Sequence, residues 1–380
     1  MRICYVPHLR FPEFSGEWKE TKLEKIAEIT KGSGISKDQL SEHGSPCILY
    51  GELYTKYKSE IINEVYSRTE LDSSLLVKSK ANDVIIPCSG ETAIDISTAR
   101  CVPFNNILLG GDLNIIRLKN NDGGFFAYQL NGTRKKDIAR VAQGVSVVHL
   151  YGENLKHIRV YHPAIEEQKK ITRLLSLIDE RIATQNKIIE DLKKLKSAIS
   201  LKMLHSDSWE QFRIKDIAII GRGRVISSVE ISQQKNPTYP VYSSQTSNEG
   251  IMGYLDDYMF EGEYISWTTD GANAGTVFYR NGKFNCTNVC GLLKLKKGFD
   301  THFVSLVLAE ATKKYVSVNL ANPKLMNNTM GNIQIRLPKL EEQKRISIVF
   351  RRLHELLATH NSLLTEYSKQ KQYLLSQMFI

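Results

Sequence analysis

The chain has 380 residues, of which 42% are hydrophobic and 24% are charged. This globular composition excludes a disordered or fibrous protein and leaves room for two or three domains. No apolar run approaches the roughly 18–20 residues of a membrane span, and the N-terminus lacks the apolar core of a secretory signal. The six cysteines are scattered and few, so we expect reduced thiols in a cytoplasmic protein. The net charge of +10 suits a polyanionic partner such as nucleic acid.

Residues 1–162 are predicted to form a first globular head with an α+β fold. Residues 83–90 have the pattern of a strand that runs into a turn, and residues 113–118 have the pattern of a further strand. Loops rich in Gly, Ser, Asn and Thr separate such segments. One of them, residues 31–37, is a polar loop with a lysine at each end.

A long helix is predicted over residues 163–205. The segment begins with PAIEEQKKI and contains neither proline nor glycine after its first residue. A proline before the helix and glutamates in its first turn favour a helix start. The apolar residues recur about every 3.5 positions, which is the spacing of a coiled-coil seam. The seam contains Ile171, Leu175, Ile178, Ile182, Gln185, Ile189, Leu192, Lys196, Ile199 and Met203.

Residues 206–337 are predicted to form a second α+β head. Its opening, residues 209–220, resembles residues 18–29 of the first head, and strand patterns occur at residues 263–271 and 291–295. Beyond the opening the two heads share little sequence. This combination suggests two different targets that are read by one scheme.

Residues 338–380 repeat the first helix at an offset of 175 without a gap, beginning with PKLEEQKRI. The second seam contains Ile346, Phe350, Leu353, Leu357, His360, Leu364, Tyr367, Lys371, Leu374 and Met378. Polar residues interrupt both seams at the same two places. Each helix would be about 60 Å long, and its apolar stripe must be buried. The simplest partner for each helix is the other, with the polar residues fixing their register; the alternative is an ordinary surface helix on a globular domain.

Candidate nucleic-acid contacts lie in the polar loops of both heads. Base edges are read by Arg, Lys, Asn, Gln, Ser and Thr, and phosphates are bound by Lys, Arg and backbone amides. In the first head the candidates are Lys31, Ser33, Ser36, Lys37, Ser89, Gln143 and Ser146. In the second head they are Arg222, Arg224, Ser227, Thr268, Thr269, Asn273, Asn322 and Lys324. The alternative for any single residue is a solvated loop, so the loops are better candidates as groups than as individual members.

No catalytic or cofactor motif is recognisable in the sequence. There is no phosphate-binding Gly-Lys-Ser/Thr loop, the cysteines lack zinc spacing, and no His-Glu-x-x-His pair is present. Residues 236–239, NPTY, are similar to the catalytic loop of amino-methyltransferases but lack its second proline. We therefore expect a protein that carries no cofactor or metal and is not itself an enzyme.

Four motifs of the sequence belong together: LRFPEF at 9–14 before Trp18, PAIEEQKKI at 163–171, LIDERI at 177–182 and PKLEEQKRI at 338–346. In these motifs the sequence resembles the specificity subunits of type I restriction-modification enzymes. The order of head, helix, head and helix matches as well. One departure is His354, which stands where the first copy has Asp179.

The resemblance implies an α+β architecture in which two target-recognition heads alternate with two long helices that pair as an antiparallel coiled coil. Each head would read one half of an asymmetric, bipartite DNA site, and the helices would set the spacing between the halves. Two methyltransferase subunits with S-adenosylmethionine would dock on the helices, and two restriction subunits using ATP and Mg would join them. Membrane association is not implied.

The resemblance also suggests which residues lie near the methyltransferase docking surfaces. They are Glu166, Glu167, Gln168, Glu341, Glu342 and Gln343. Capping of the helix and compensation of its dipole are an equally good explanation for these residues and do not exclude docking.

Two other functions remain open from the sequence. One is a coiled-coil scaffold or decoy that binds methyltransferase subunits without reading DNA. The other is the recognition subunit of a related enzyme in which methyltransferase and nuclease are fused in one chain.

Overall fold

The computed structural model describes residues 5–144, 147–317 and 322–380. The chain divides into two compact units, one formed by the residues up to Lys187 together with Asn361–Ile380, the other by Ile188–His360. We call them the first and the second unit. Each unit contains one head and one part of each long helix, so the two helices are shared between the units.

The first head contains twelve strands and six short helices among its described residues. The strands are β1 (Lys19–Lys22), β2 (Ala27–Lys31), β3 (Leu40–Ser41), β4 (Ser45–Ile48), β5 (Ser67–Thr69), β6 (Asp83–Pro87), β7 (Ser89–Gly90), β8 (Arg100–Val102), β9 (Leu108–Leu109), β10 (Leu113–Leu118), β11 (Val148–His149) and β12 (Arg159–His162). The helices are α1 (Leu23–Ile26), α2 (Glu52–Thr55), α3 (Ala93–Ile96), α4 (Gly123–Asn131), α5 (Lys135–Val141) and α6 (Gly152–Lys156), with a 3-10 turn at Lys37–Gln39.

Two four-stranded sheets form the body of this head. One has the strand order β2-β10-β6-β8 and the other the order β3-β5-β4-β9. The opening strand β1 pairs with β12, which leads directly into the first long helix α7 (Ile165–Met203). Helix α4 lies in the core, with Phe125, Phe126 and Tyr128 fully buried. A helix that is apolar on all sides needs cover on all sides, so α4 joins the sheet to the long helices.

The second head repeats this plan with different residues. Its strands are β13 (Glu210–Arg213), β14 (Ala218–Arg222), β15 (Tyr239–Tyr242), β16 (Ile251–Leu255), β17 (Phe260–Glu261), β18 (Tyr264–Thr268), β19 (Val277–Arg280), β20 (Lys283–Cys286), β21 (Cys290–Leu295) and β22 (Gln334–Leu337). Its helices are α8 (Ile214–Ile217), α9 (Ser228–Ser232), α10 (Thr301–Ala311) and α11 (Asn327–Asn332), with 3-10 turns at Ser247–Gly250 and Thr312–Lys314. The second long helix is α12 (Leu340–Met378).

The central sheets of the two heads correspond strand by strand. The order β14-β21-β18-β19 matches β2-β10-β6-β8, and the pair β13-β22 matches β1-β12. Helix α10 takes the place of α4 and starts in the same way, because Asp300 caps it as Asp122 caps α4. The weak sequence repeat at the start of each head therefore reflects one topology used twice.

The long helices bury the predicted seam within each unit. In the first unit Ile171, Leu175 and Ile178 of α7 lie in one core with Leu374 and Met378 of α12. The two helical segments are antiparallel there. Asp179 pairs with Lys371 at 2.7 Å, and two residues later along α7 Arg181 reaches Tyr367, four residues earlier along α12.

The second unit uses the opposite ends of the same helices. Ile346 and Phe350 near the start of α12 share a core with Leu204, and Ile199 and Met203 near the end of α7 pack against it. Seam residues predicted from a 3.5-residue spacing are therefore buried in both units. The predicted α+β architecture with two helical repeats is confirmed.

Candidate nucleic-acid interface

The predicted contacts of the first head gather at one edge of its central sheet. Strands β2 and β6 end at this edge and β10 begins there, because Lys31 pairs with Asn114 and Leu113 pairs with Pro87. Ser33 and Ser36 follow β2, and Ser89 follows β6. The antiparallel order of the sheet therefore brings together loops that are far apart in the sequence.

A cleft of about 980 Å³ opens beside this edge. It is lined by Gly34, Ile35, Ser36, Lys37, Gln39, Leu40, Leu49, Tyr50, Gly51, Glu52, Tyr54, Thr55, Lys56, Gly110, Gly111 and Asp112. Ser36 and Lys37 were predicted as contacts, whereas Gln39, Tyr50 and Tyr54 were missed. The signal for the tyrosines was the alternation of tyrosine and lysine over residues 50–58, a mixture of aromatic and basic groups that suits nucleic acid.

Hydrogen bonds between polar groups hold the walls of the cleft. The carboxylate of Glu52 accepts hydrogen bonds from the Leu49 amide at 3.0 Å and the Lys56 ammonium at 2.6 Å, and from the Ser67 hydroxyl. On the opposite wall the side-chain oxygen of Gln39 accepts from the Ser36 amide at 2.9 Å. These bonds fix the loops before a ligand arrives, which lowers the entropic cost of binding.

Gly32 allows the two loops at this edge to approach each other. A Cβ at this position would collide with the carbonyl oxygen of Gly110, which is backbone and cannot move aside. The close approach is secured by the hydrogen bond from the Gly32 amide to Leu113 at 3.0 Å.

Four predicted contacts of the first head need comment. The Ser33 hydroxyl is half-buried and accepts a hydrogen bond from the Val77 amide at 2.8 Å, so the structure uses it internally. Ser89 is half-buried and pairs with His149, while Gln143 is exposed beside it. Ser146 lies outside the described residues.

The second head places its predicted contacts at the equivalent sheet edge. Arg222, the last residue of β14, pairs with Gly291, and Thr268, the last residue of β18, pairs with Cys290. The loop after β18 is joined to residue 324 by a bridge between Asp270 and Lys324. Loops that are some 100 residues apart in the sequence are thus brought to one edge, as in the first head.

Thr268 and Thr269 are wrong as DNA contacts. Both are fully buried. The Thr269 hydroxyl donates to the Val289 carbonyl at 2.9 Å, and the Thr268 hydroxyl donates to the Asn273 carbonyl. Small hydroxyl residues at a strand end satisfy local backbone groups, and this use has the same sequence appearance as a polar binding loop.

Other predicted residues of this edge are exposed or hold their neighbours. Arg222 donates to Asn327 at 2.9 Å, and Ser227 caps α9. Arg224 is paired with Glu230, and its hydrogen bonds lower the pKa of that carboxyl. Arg224, Ser227, Asn273, Asn322 and Lys324 are exposed.

The glutamine of the repeated Glu-Glu-Gln motif joins each helix to its own head. Gln168 accepts from the Asp122 amide at 2.9 Å and donates to the Pro163 carbonyl at 2.9 Å. Gln343 does the same with the Asp300 amide and the Pro338 carbonyl, at 2.9 and 2.8 Å.

These contacts correct part of the predicted docking surface. Gln168 and Gln343 are buried, and buried Glu167 is held by Arg10 through two hydrogen bonds of 2.8 and 2.7 Å. Side chains already engaged inside their own unit cannot face a partner. Glu166, Glu341 and Glu342 are exposed.

The described ranges contain no cluster of three or more His, Cys, Asp or Glu side chains that could hold a metal ion. In the same ranges no helix combines the length and the apolar character needed to cross a membrane.

Two unlike heads with equivalent polar edges, carried on two shared helices, define a recognition protein with two reading surfaces. A family profile described as the type I restriction modification DNA specificity domain matches residues 15–194 and again residues 206–366. The chain belongs to this family. Each match covers one head and most of the long helix that follows it. The family's domain therefore corresponds to the structural repeat of head and helix.

Individual relatives agree with this assignment. A Mycoplasma pneumoniae protein assigned as a type I specificity subunit is 38% identical over 197 residues, which cover 51% of this chain and 82% of the relative. The type I restriction enzyme MpnII specificity subunit of the same organism is 45% identical over 141 residues, covering 37% of this chain and 42% of the relative. The crystal structure of a type I restriction-modification S subunit from M. genitalium shares the fold, with a TM-score of 0.74, 17% identity and 99% coverage of both chains.

Proposed function

We propose that each of the two sheet edges reads one half of an asymmetric, bipartite DNA site, within the family's role as the DNA-recognition component of a type I restriction-modification system. The observation that carries this is the pair of equivalent edges with different side chains. The first edge combines Lys37 with the tyrosines of its cleft, and the second combines Asn273 with Lys324. Different donor and acceptor patterns select different bases, so the two half-sites differ.

The catalytic work belongs to partner subunits. Two methyltransferase subunits that carry S-adenosylmethionine dock on the helical repeats, and two restriction subunits that use ATP and Mg complete the enzyme. The duplicated frame supports this stoichiometry, since two similar surfaces suit two identical partners. The helices set the distance between the half-sites, because their length and register fix where each head is attached.

Exchange of one head tests the modular reading. Residues 1–162 are replaced by the first head of another specificity subunit, and methylated adenines are mapped by single-molecule sequencing in cells with the methyltransferase. We expect one half of the methylated motif to change and the other to stay. The donor head should keep an acid at position 60, because Glu60 binds Lys371 of the retained helix at 2.5 Å.

The outcomes separate the candidate functions. A change in both halves of the motif would contradict modular recognition. A stable complex with the methyltransferase that gives no sequence motif would instead favour the scaffold or decoy.

Lys37 provides a more local test of the first reading edge. Lys37→Ala is expected to weaken binding of the assembled methyltransferase to target DNA, and to reduce the slope of log affinity against log salt by about 1, because one phosphate contact is lost. Lys58→Ala is the matched control, since Lys58 is an exposed lysine of the same head that does not line the cleft. If the slope of log affinity against log salt is the same for Lys37→Ala, Lys58→Ala and the wild type, Lys37 does not contact DNA.

A further inference from the structure

The second unit contains an open groove at the start of α12. It has a volume of about 870 Å³ and lies between the end of α7, strand β13 and the first turns of α12. Trp209, Glu342 and Arg345 line it, and Lys202, Glu210 and Lys339 are also among its lining residues. Its walls therefore offer an aromatic surface next to charges of both signs.

The equivalent place in the first unit is occupied by the chain's own N-terminal segment, residues 5–17. Arg10 donates two hydrogen bonds to Glu167, at 2.8 and 2.7 Å. Three residues further on, Glu13 pairs with Lys170. The ammonium of Lys170 also lies 4.6 Å from the centre of the Phe11 ring. Arg10, Phe11 and Glu13 thus bind an acid and a base that are three residues apart on α7.

The helical repeat carries this acid and base into the second unit. The offset of 175 places Glu342 at the position of Glu167 and Arg345 at the position of Lys170. The second unit has no counterpart of residues 5–17, because only residues 204–209 separate the end of α7 from β13.

The exposures reflect this difference. Glu167 is 1% exposed, whereas Glu342 is exposed. Trp18, whose amide binds the Tyr5 carbonyl at 2.7 Å, is 2% exposed, whereas its counterpart Trp209 is only half-buried. Across the described part of the chain, neither Glu342 nor Arg345 forms an ion pair. The second unit therefore keeps the receptor for such a segment without the segment.

We propose that this groove binds an extended segment of a methyltransferase subunit that carries an arginine, an aromatic residue next to it and an acid three residues after the arginine. The arginine binds Glu342, the acid binds Arg345, and the aromatic ring packs near Arg345 as Phe11 packs near Lys170. The inference rests on the proposed function, since it adds a contact to the docking of that partner. It makes the two docking regions unequal, because the groove is filled from within the chain in the first unit.

Charge and the cost of association favour this occupant over two others. Glu210 and Glu342 stand among the basic residues of the groove and would each repel a DNA phosphate, whereas a segment with both an arginine and an acid meets charges of both signs. A second copy of this chain would have to withdraw its own residues 5–17, and that would break its Arg10–Glu167 and Glu13–Lys170 pairs. The exchange would replace two ion pairs by two similar ones and would add the entropic cost of association.

The first experiment measures binding of a labelled peptide with the sequence of residues 5–17 to the full-length chain. Glu342→Lys is expected to lower the affinity for the peptide about tenfold or more, because the attraction between residue 342 and the arginine of the peptide becomes repulsion. Asp216→Lys is the control, since Asp216 is an exposed acid of the same unit that does not line the groove. A peptide in which Arg10 is replaced by Glu should bind Glu342→Lys better than it binds the wild type.

The second experiment measures the affinity of the full-length chain for its methyltransferase subunit. Glu342→Lys should weaken assembly and Asp216→Lys should not, and excess wild-type peptide should compete. The proposal would be overturned if Glu342→Lys bound the methyltransferase subunit with unchanged affinity. It would also be overturned if the substitution at residue 342 left the affinity for the peptide unchanged. If that variant still directs methylation to the original motif at full strength, the groove proposal fails while the proposed function stands.

Discussion

Replacing Lys371 by methionine is expected to destabilise the first unit by about 3–5 kcal/mol, the usual cost of breaking a buried ion pair by removing one partner. The ammonium of Lys371 lies 2.5 Å from the carboxylate of Glu60 and 2.7 Å from that of Asp179. Both acids are buried. Without the lysine, two carboxylates would share one poorly solvated space.

The surroundings of this cluster show why no other group can replace the lysine. The Tyr128 hydroxyl donates to Asp179 at 2.7 Å, which satisfies one oxygen but supplies no charge. The nearby Arg100 side chain donates to the carbonyls of Leu53 and Tyr57. Burial raises the pKa of Asp179, against the opposing effect of Lys371. Removal of the lysine should therefore drive Asp179 towards its neutral form.

Hydrogen exchange measures this effect unit by unit, which matters because a chain with two units need not unfold in one step. Lys371→Met should accelerate exchange in residues 170–187 and 361–380. Lys196→Met is the control, because Lys196 holds the same seam position in the other repeat and, among the described residues, forms no ion pair. Equal protection in the two variants would contradict a stabilising role for the cluster.

The same cluster explains the departure between the two helical repeats. In the second copy the counterpart of Asp179 is His354, which is exposed. An acid is needed at this position only where a buried lysine must be neutralised. The ionic anchor therefore belongs to one repeat, although the apolar seam belongs to both.

The long helices could be predicted from sequence because their signals are local. A 3.5-residue spacing and the lack of proline and glycine fix a helix without knowledge of the rest of the fold. The helices Ile165–Met203 and Leu340–Met378 lie two residues inside the predicted segments at each end. The direction of packing came only from the family resemblance, since an apolar seam is compatible with either direction.

The reading edges were predictable only as groups of loops. Polar residues after a strand mark an edge, and the candidates of both heads do gather at equivalent edges. The role of each residue depends on partners that are distant in the sequence. The Thr269 hydroxyl donates to the carbonyl of Val289, twenty residues away, and the Ser33 hydroxyl accepts from the Val77 amide. Tyr54 became a candidate only when the fold placed its loop opposite Ser36. Such pairings are not encoded in the spacing of either segment.

The glutamines of the repeated Glu-Glu-Gln motif were recognised as important, but they were placed near a partner surface and not in contacts within their own unit. The recurrence of the motif signalled a shared structural need. The resemblance placed Gln168 and Gln343 on a partner surface, while the alternative of a local role at the helix start was closer to what the structure shows. The side-chain oxygen of each glutamine accepts a hydrogen bond from the backbone amide of the residue that caps a core helix, Asp122 for α4 and Asp300 for α10.

Gln168→Ala is expected to cost about 2–4 kcal/mol, because it strips hydrogen-bond partners from three buried or half-buried polar groups at once. The Asp122 amide and the Pro163 carbonyl would each lose a hydrogen bond, and the side chain of Asn121 would lose a third at 2.9 Å. Since Asp122 also caps α4, the damage should begin at the first turn of that core helix. Exchange of the Phe125 amide should therefore accelerate first.

Gln343→Ala provides the independent copy of this experiment in the second unit. Its effect should appear at Phe303, whose amide is bound by the Asp300 cap at 2.7 Å, and should leave Phe125 unchanged. Glu166→Ala is the control for both, since Glu166 is the exposed neighbour in the same motif. Unaltered exchange at Phe125 in Gln168→Ala would mean that the glutamine does not join helix and head. In each unit the side-chain amide of one glutamine connects the long helix to its head. This connection would explain why the motif occurs at both helix starts although the heads beside them differ.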